Sequence, residues 1–498
     1  MSCSTNDCGR TSQQDQTEEE EEHSYSLYEF YLNSLKTKNN ESEKNEEIEI
    51  CFWNKLQDDV EDVFDESGFA TRPDRRFRHT AVYSAKEDAM YVFGGFVEEG
   101  NESQNDFWKF DIPSRTWTEI YPTNANQVWP SPRMEHCAAM ISLTPTRFKL
   151  FETLMGQEII PSHQENSATT YLHNQMYIFG GYSSQKTQFN NDLYCFDFTH
   201  YKFFKINYKV TQQLFYLNVK RVEYVKERSR HTMVASGDEK LYILGGMTFL
   251  SHCLMDVWEY DIDTQTMTCL WQDRNEDESG SDLTKSNEEE QDHPEPRCSH
   301  SCVYSRKENA LYVFGGIRRG IKSFQELWKF DISHKLWIAV DMHGFVPVER
   351  FEHISFMLND LSDYLFIYGG YNYRHGCLDY IYQFCLSTKT WIRLQNRNYT
   401  VGGKFASTGS ILFVDYNETP ISRVGMSCIV TKDYHTIIFG GKSCTLLNDA
   451  FVCFLPGHGR LPSVTLEFHN TLYRMVLENT NHQDTSLSDC CIVTFHPL

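Results

Sequence analysis

The 498-residue sequence contains no apolar run approaching the ~18–20 residues of a membrane-spanning helix, so helical membrane insertion is excluded. It also lacks positive charge: 46 Lys and Arg stand against 69 Asp and Glu, a formal net charge of −23. Nucleic acids and anionic lipid surfaces reward clustered Lys and Arg, so neither is expected as a partner. No basic-then-apolar segment follows Met1; Ser2-Cys3-Ser4 leads instead to an acidic run from Glu18 to Glu22. A secretory leader is therefore not expected. On that expectation the 16 Cys are reduced thiols, and the triplets at Asn40, Asn101, Asn398 and Asn417 carry no glycan. The chain is expected in the cytoplasm, with the nucleus also open. Catalytic signatures are lacking too: there is no Gly-x-Ser-x-Gly elbow. Gly440-Gly441-Lys442-Ser443 mimics the end of a phosphate-binding loop, but Thr436 stands where the opening Gly belongs.

The acidic excess is concentrated. Residues 1–66 hold 19 acids and 5 bases, and residues 273–295 hold 10 acids and 2 bases. These stretches contribute −14 and −8, leaving −1 for everything else. Within them, residues 273–292 and most of residues 1–49 are poor in large apolar groups and read as disordered, apart from an aromatic patch, Tyr25 to Leu32. The expected organisation is an acidic tail over residues 1–49, a folded body over 50–456 and an extension over 457–498.

The body repeats. Six apolar runs end in a Gly pair: Met90 to Gly95, Met176 to Gly181, Leu241 to Gly246, Leu311 to Gly316, Leu365 to Gly370 and Thr436 to Gly441. Short aromatic and β-branched runs closed by Gly read as buried strands with a sharp turn behind them. Arg-x-x-His precedes five of them: Arg76/His79, Arg133/His136, Arg228/His231, Arg297/His300 and Arg350/His353. The sixth copy has Arg423 and then Met426. Downstream comes a strand of the type Asp106-Phe107-Trp108-Lys109-Phe110-Asp111, whose alternating rings share one face. Trp117, Trp337 and Trp391 mark a fourth strand. Repeats lie near 76–117, 133–203, 228–271, 297–337, 350–391 and 423–454. Six four-stranded sheets close most simply into an all-β propeller. The sixth copy has no Trp strand, and an orphan strand, Phe52-Trp53-Asn54-Lys55-Leu56-Gln57, precedes the first. Residues 50–57 are therefore expected to supply the outer strand of the last blade.

These residues resemble the kelch-repeat family, whose repeat of about 50 residues carries a Gly pair, a following Tyr or Trp and a later Trp. The resemblance covers roughly residues 50–456. It implies a six-bladed propeller serving as a non-catalytic interaction module, a scaffold or adaptor for a protein or peptide. No cofactor and no metal is expected. An alternative is the substrate-recognition subunit of a cullin-type ubiquitin ligase, since Ser486, Leu487, Cys491 and Phe495 resemble an elongin-binding box. A further alternative is an enzyme of the copper radical oxidase type, although the repeat already accounts for the His residues. Carried over from kelch proteins that bind peptides, the pocket is lined by Arg76, Arg133, Arg228, Arg297, Arg350 and Arg423, with Arg318, Arg319, Tyr371, Tyr373, Arg374 and Lys442 after the Gly pairs. Such a mouth suits an acidic peptide or a free C-terminal carboxylate. The competing reading makes the repeat Arg residues structural, paired with acids between blades. Oligomeric state is left open.

Cys298-Ser299-His300-Ser301-Cys302 has a metal-like composition, but its position in a repeated strand predicts side chains alternating into packed layers. Leu466, Phe468, Leu472, Met475, Val476 and Leu477 are spaced as in a helix, which is expected in the C-terminal extension.

Overall fold

A computed structural model describes residues 50–57, 70–122, 126–155, 173–212, 224–237, 240–249, 251–272, 293–318, 322–398, 401–402, 413–414, 419–455, 464–468, 471–479 and 491–497. The acidic tail 1–49, its aromatic patch and nearly all of the acidic stretch 273–295 lie outside the described residues.

Six antiparallel sheets surround an axis. From the axis outward, blade 1 is Thr80–Ser84, Ala89–Val97, Glu102–Asp111 and Thr116–Ile120. Blade 2 is Cys137–Leu143, His173–Phe179, Leu193–Asp197 and Lys202–Ile206. Blade 3 is Thr232–Ala235, Lys240–Met247, Cys253–Asp261 and Thr266–Trp271. Blade 4 is Ser301–Ser305, Ala310–Phe314, Leu327–Asp331 and Leu336–Ala339. Blade 5 is Ile354–Phe356, Tyr364–Tyr368, Ile381–Cys385 and Thr390–Arg393. Blade 6 is Ser427–Val430, Thr436–Lys442, Leu446–Phe454 and the N-terminal strand Ile50–Gln57.

In the second strand of each blade the four residues ahead of the Gly pair are all buried, because both faces of the strand are covered. In blade 1, Met90 and Val92 join a cluster with Ile437 and Phe439 of blade 6, while Tyr91 and Phe93 join one with Ile178 and Phe196 of blade 2. Side-chain period two thus sends alternate residues into opposite interfaces. Closure has two parts. Ile50–Gln57 pairs antiparallel with Leu446–Phe454, and Trp117 of blade 1 packs 5.0 Å from Phe439 of blade 6. The Gly pairs hold positive φ, and a Cβ on Gly95 (φ +99) would lie 2.7 Å from the His79 Cβ. Only glycine fits there.

Three linkers add an outermost parallel strand that the repeat pattern did not anticipate. Lys209–Gln212 edges blade 3, His343–Gly344 edges blade 5, and Gln395–Asn398 edges blade 6. The long insertion in copy two contains a helix, Pro145–Leu154, that turns Phe148 and Phe151 into the core. Its opening Thr-Pro is a sequence signal for a helix start.

The C-terminal extension departs from the helical expectation. Val464–Phe468, Thr471–Asn479 and Cys491–Pro497 form a three-stranded antiparallel sheet. The apparent helical spacing spans two separate runs divided by His469-Asn470, and within each run Leu466/Phe468 and Tyr473/Met475/Leu477 step by two.

Candidate functional site

Each Arg-x-x-His turn opens a blade at the end where the Gly pairs lie. The first Arg of every turn is 0–1% exposed. Arg76 donates to the Gly94 carbonyl and, through both terminal nitrogens, to Asp106 at 2.8 and 2.7 Å. Arg228 repeats this with Gly245 and Asp256, and Arg423 with Gly440 and Asp449. Arg133 uses Gly180 and Asp192, and Arg297 uses Gly315 and Glu326. Arg350 keeps the Gly369 carbonyl, but Tyr380 stands where the other blades carry the acid, and its guanidinium lies 5.1 Å over the Tyr382 ring. Burial pushes the Arg350 pKa down to about 10, with Tyr382 opposing. The Asp256 carboxyl is held low instead: burial alone would raise it, and Arg228 outweighs that.

The six repeat Arg residues expected at a partner-binding mouth are therefore inside the blades, where a partner cannot reach them. Their carboxylate partners also lie within the same blade rather than between blades. Between blades it is the Arg backbone that acts: the Arg133, Arg228, Arg297, Arg350 and Arg423 carbonyls accept the N–H of the second Gly of the preceding blade.

Two residues further on, the same turns meet at the axis. Arg78, Glu135, Arg230, Ser299, Glu352 and Gly425 all have φ between +54 and +60. Their backbones form a closed ring of six hydrogen bonds, each N–H donating to the carbonyl of the preceding member at 2.7–3.2 Å. Arg78 bridges Glu135 at 2.6 Å and Glu352 at 2.5 Å, and Arg230 bridges Glu135 at 2.8 Å and Glu352 at 4.0 Å. Two cations and two anions alternate, so this axial floor is neutral. Arg78, Glu135, Arg230 and Glu352 were not singled out from the sequence; charges of alternating sign at one repeat offset were the available signal.

Beneath the floor sits a belt of histidines. His79 pairs with Ser427 at 2.7 Å, His136 with Thr80 at 2.8 Å, His300 with Thr232 at 3.1 Å and His353 with Ser301 at 2.7 Å, each across a blade boundary. The sixth copy is explained here: Ile354 stands where the hydroxyl should be, and Met426 replaces the His in the cluster against which Ile354 packs. At the remaining boundary Cys137 donates to the His231 carbonyl, and the His231 Nε2 has no partner. Burial first, and the neighbouring Arg76 and Arg297 second, push His79 and His300 down to about 3. The axial cavity below, about 210 Å³, is lined by His79, His300 and His353 with their hydroxyl partners, and by Cys137 and Cys428, whose thiols burial pushes up to about 12. Cys298 and Cys302 enter different clusters while His300 bonds Thr232, so the metal-like trio does not converge.

The turns after the Gly pairs surround the floor. Tyr373 is 65% exposed and Phe249 is 69% exposed. Tyr371 is half-buried, 5.6 Å from Phe351, which Tyr373 approaches at 5.5 Å. The neighbouring Arg374 is exposed. Lys442 lies 5.6 Å over the Phe77 ring and 3.6 Å from Glu98. Arg318 reaches Glu295 at 3.6 Å, with Lys322 on the same carboxylate at 2.8 Å. Arg319 lies outside the described residues. Of the expected site residues, Arg318, Tyr371, Tyr373, Arg374 and Lys442 are thus on turns of blades 4, 5 and 6. Phe249, on the blade 3 turn, was missed because it follows Gly-Gly-Met-Thr rather than an aromatic position.

Comparison with known proteins agrees with this architecture. The family described as KLHDC2/KLHL20/DRC7 Kelch-repeats domain matches residues 140–278 and 281–455, and the Kelch motif matches residues 78–120. Kelch domain-containing protein 3 of Homo sapiens is 24% identical over 167 residues, covering 28% of this chain and 42% of that protein. Its Rattus norvegicus counterpart is 25% identical over 194 residues, 38% of this chain and 39% of that protein. Mei4-dependent protein 6 of Schizosaccharomyces pombe is 32% identical over 75 residues, 15% of this chain and 10% of that protein. The matched region spans less than half the length of each of these relatives. Six blades, six Gly pairs, the repeated Arg turn and a family match over more than half of the sequence have one meaning: the chain belongs to the kelch-repeat family.

Proposed function

We propose that the chain is a non-catalytic interaction module, a scaffold or adaptor of the cytoplasm or nucleus, that holds a protein or peptide on the propeller end bearing the Gly-pair turns. The reading is carried by one observation: exposed Tyr373, Arg374 and Phe249 stand on turns around a floor already closed by its own ion pairs. Large apolar and cationic groups at such a rim are typical anchors of protein recognition. Arg318, Lys322, Arg374 and Lys442 lie on three neighbouring turns, which supports an acidic segment or a terminal carboxylate as the bound chemistry. The kelch relatives support the coarse assignment of a binding propeller and leave the partner to experiment.

Affinity capture with the full-length chain, compared with a Phe249→Ala/Tyr373→Ala/Arg374→Glu variant, tests the proposal. The variant is expected to lose co-purifying proteins by about tenfold or more while melting within a few degrees of the parent. An unchanged captured set would overturn it. Elongin and cullin subunits in the wild-type capture would specify a ligase adaptor.

A further inference from the structure

Blades 3 and 4 meet beside the axial floor, and a cysteine approaches that boundary from each side. Cys253 begins the third strand of blade 3, where it pairs with Met247. Cys298 stands between Arg297 and the floor residue Ser299, in the turn that opens blade 4. The backbone holds both in place. The Gly246 N–H donates to the Arg297 carbonyl at 3.0 Å, joining the neighbours of Met247 and Cys298 across the boundary. Cys298 and Ile317 exchange two backbone hydrogen bonds, at 3.0 and 2.9 Å. The Ile317 carbonyl that accepts the Cys298 N–H also lies 3.8 Å from the Cys253 Sγ. Cys298 forms a buried cluster with Met247 and Ile317, and Cys253 packs against it together with Phe189 and Phe351.

The two thiols differ in access and in acidity. Cys298 is 1% exposed, whereas Cys253 is half-buried. The Cys298 S–H donates to the Cys253 sulfur, and that bond, with burial second, holds the Cys298 thiol far above its ordinary range. On the floor, Arg230 favours a thiolate at Cys298 and Glu135 opposes it. With the proton kept on Cys298, the negative charge of the pair falls to the more accessible Cys253. An accessible thiolate in contact with a second thiol is the arrangement of a peroxide-sensing cysteine and its resolving partner.

We propose that Cys253 and Cys298 form a redox modification site, converted by hydrogen peroxide into a disulfide. First the Cys253 thiolate attacks a peroxide oxygen: the S–O bond forms, the O–O bond breaks, and hydroxide leaves as water with the proton Cys253 gave up. Then the Cys298 sulfur attacks Cys253. The S–S bond forms, the S–O bond breaks, and a second water leaves with the Cys298 proton. Two electrons pass from the sulfurs to the peroxide. The bridge ties blade 3 to blade 4 at the foot of the Phe249 turn, which the Thr248 N–H closes on the His252 carbonyl at 3.0 Å. Its test reads the cysteines themselves and does not depend on the partner proposed for that face.

The full-length chain is treated with hydrogen peroxide, its remaining thiols are alkylated, and its peptides are mapped by mass spectrometry. A peptide pair joined through Cys253 and Cys298 is expected, and dithiothreitol should remove it. The oxidised chain should melt a few degrees above the reduced one, because the bridge constrains the unfolded chain. Cys298→Ser should abolish the joined pair and leave Cys253 as a sulfenic acid, which dimedone labels several-fold more strongly than in the parent. Cys444 is more exposed, yet Cys444→Ser should leave the joined pair unchanged. Full alkylation of both Cys253 and Cys298 in the peroxide-treated parent would overturn the proposal, and that result needs no variant to fold. Cys253 joined to Cys444 instead would also overturn it. Equal melting of the oxidised and reduced chains would overturn the bridge as a tie between blades.

Discussion

Arg76 and Arg78 are two residues apart in one turn, yet they belong to different structures. Arg76 is sealed inside its blade, its charge met by Asp106 and its remaining donors by the Gly94 and Asp74 carbonyls. Arg78 reaches the axis, where it joins Glu135 and Glu352 from two other blades and keeps part of its surface in solvent. The same contrast separates Arg228 from Arg230. Position in the turn, rather than residue type, decides whether a guanidinium builds a blade or ties blades together. Neither position is a free cation awaiting a ligand, and the proposed recognition surface is therefore the turns outside them.

The contrast is broken most forcefully by uncoupling one buried pair. Arg228→Met leaves Asp256 buried and unpaired, and is expected to cost about 3–5 kcal/mol in urea unfolding. Arg230→Met, on the partly solvated floor, should cost about 1 kcal/mol. Equal losses for the two would erase the distinction.

The histidine belt adds a pH axis that the Arg column does not have. His79 and His300 sit near 3 in the fold and near 6.5 when unfolded, so the unfolded chain binds more protons as pH falls below about 6.5. Stability is therefore full above that range and is lost on acidification toward pH 3, by about 2 kcal/mol for each of these two groups at pH 5. Urea midpoints at pH 7.5 and pH 5 measure this; a midpoint that is flat between them contradicts it.

A smaller effect sharpens the account of the sixth blade. Met426→His places an imidazole opposite Ile354 with no hydroxyl to meet it, and should cost about 1–2 kcal/mol. Adding Ile354→Ser should recover most of that, because the other boundaries pair His with Ser or Thr. The smallest change is expected at Ser299, whose buried Oγ has no partner on the floor. Ser299→Ala should stay within about 0.5 kcal/mol of the parent by the same measurement.

The ring of blades was legible because its signals are local and repeated. Leu311-Tyr312-Val313-Phe314 before a Gly pair is readable wherever it occurs, and Phe52-Trp53 stood out because the last copy lacked its fourth strand. The fate of the Arg column was not legible in the same way. Its partners lie 26–30 residues downstream at Asp106, Asp256, Glu326 and Asp449, and 59 downstream at Asp192, and an Arg-rich turn reads equally as a mouth or a joint. The axial floor escaped notice for the opposite reason. Its six positions are Arg, Glu, Arg, Ser, Glu and Gly, so they vanish when repeats are averaged and matter only as a set. Blade edges are set by linkers that share no motif, which is why the outermost strands Lys209–Gln212, His343–Gly344 and Gln395–Asn398 were not anticipated.

Buried Arg residues hold the propeller, and the proposal above gives the partner to the turns outside them. Melting temperature and partner capture measured side by side on Arg228→Met and Arg374→Glu test it most directly. Arg228→Met is expected to show a large fall in melting temperature, and Arg374→Glu a loss of captured partner with an unchanged melting temperature. A stable Arg228→Met chain that has lost its partner, beside an Arg374→Glu chain that keeps it, would contradict the claim.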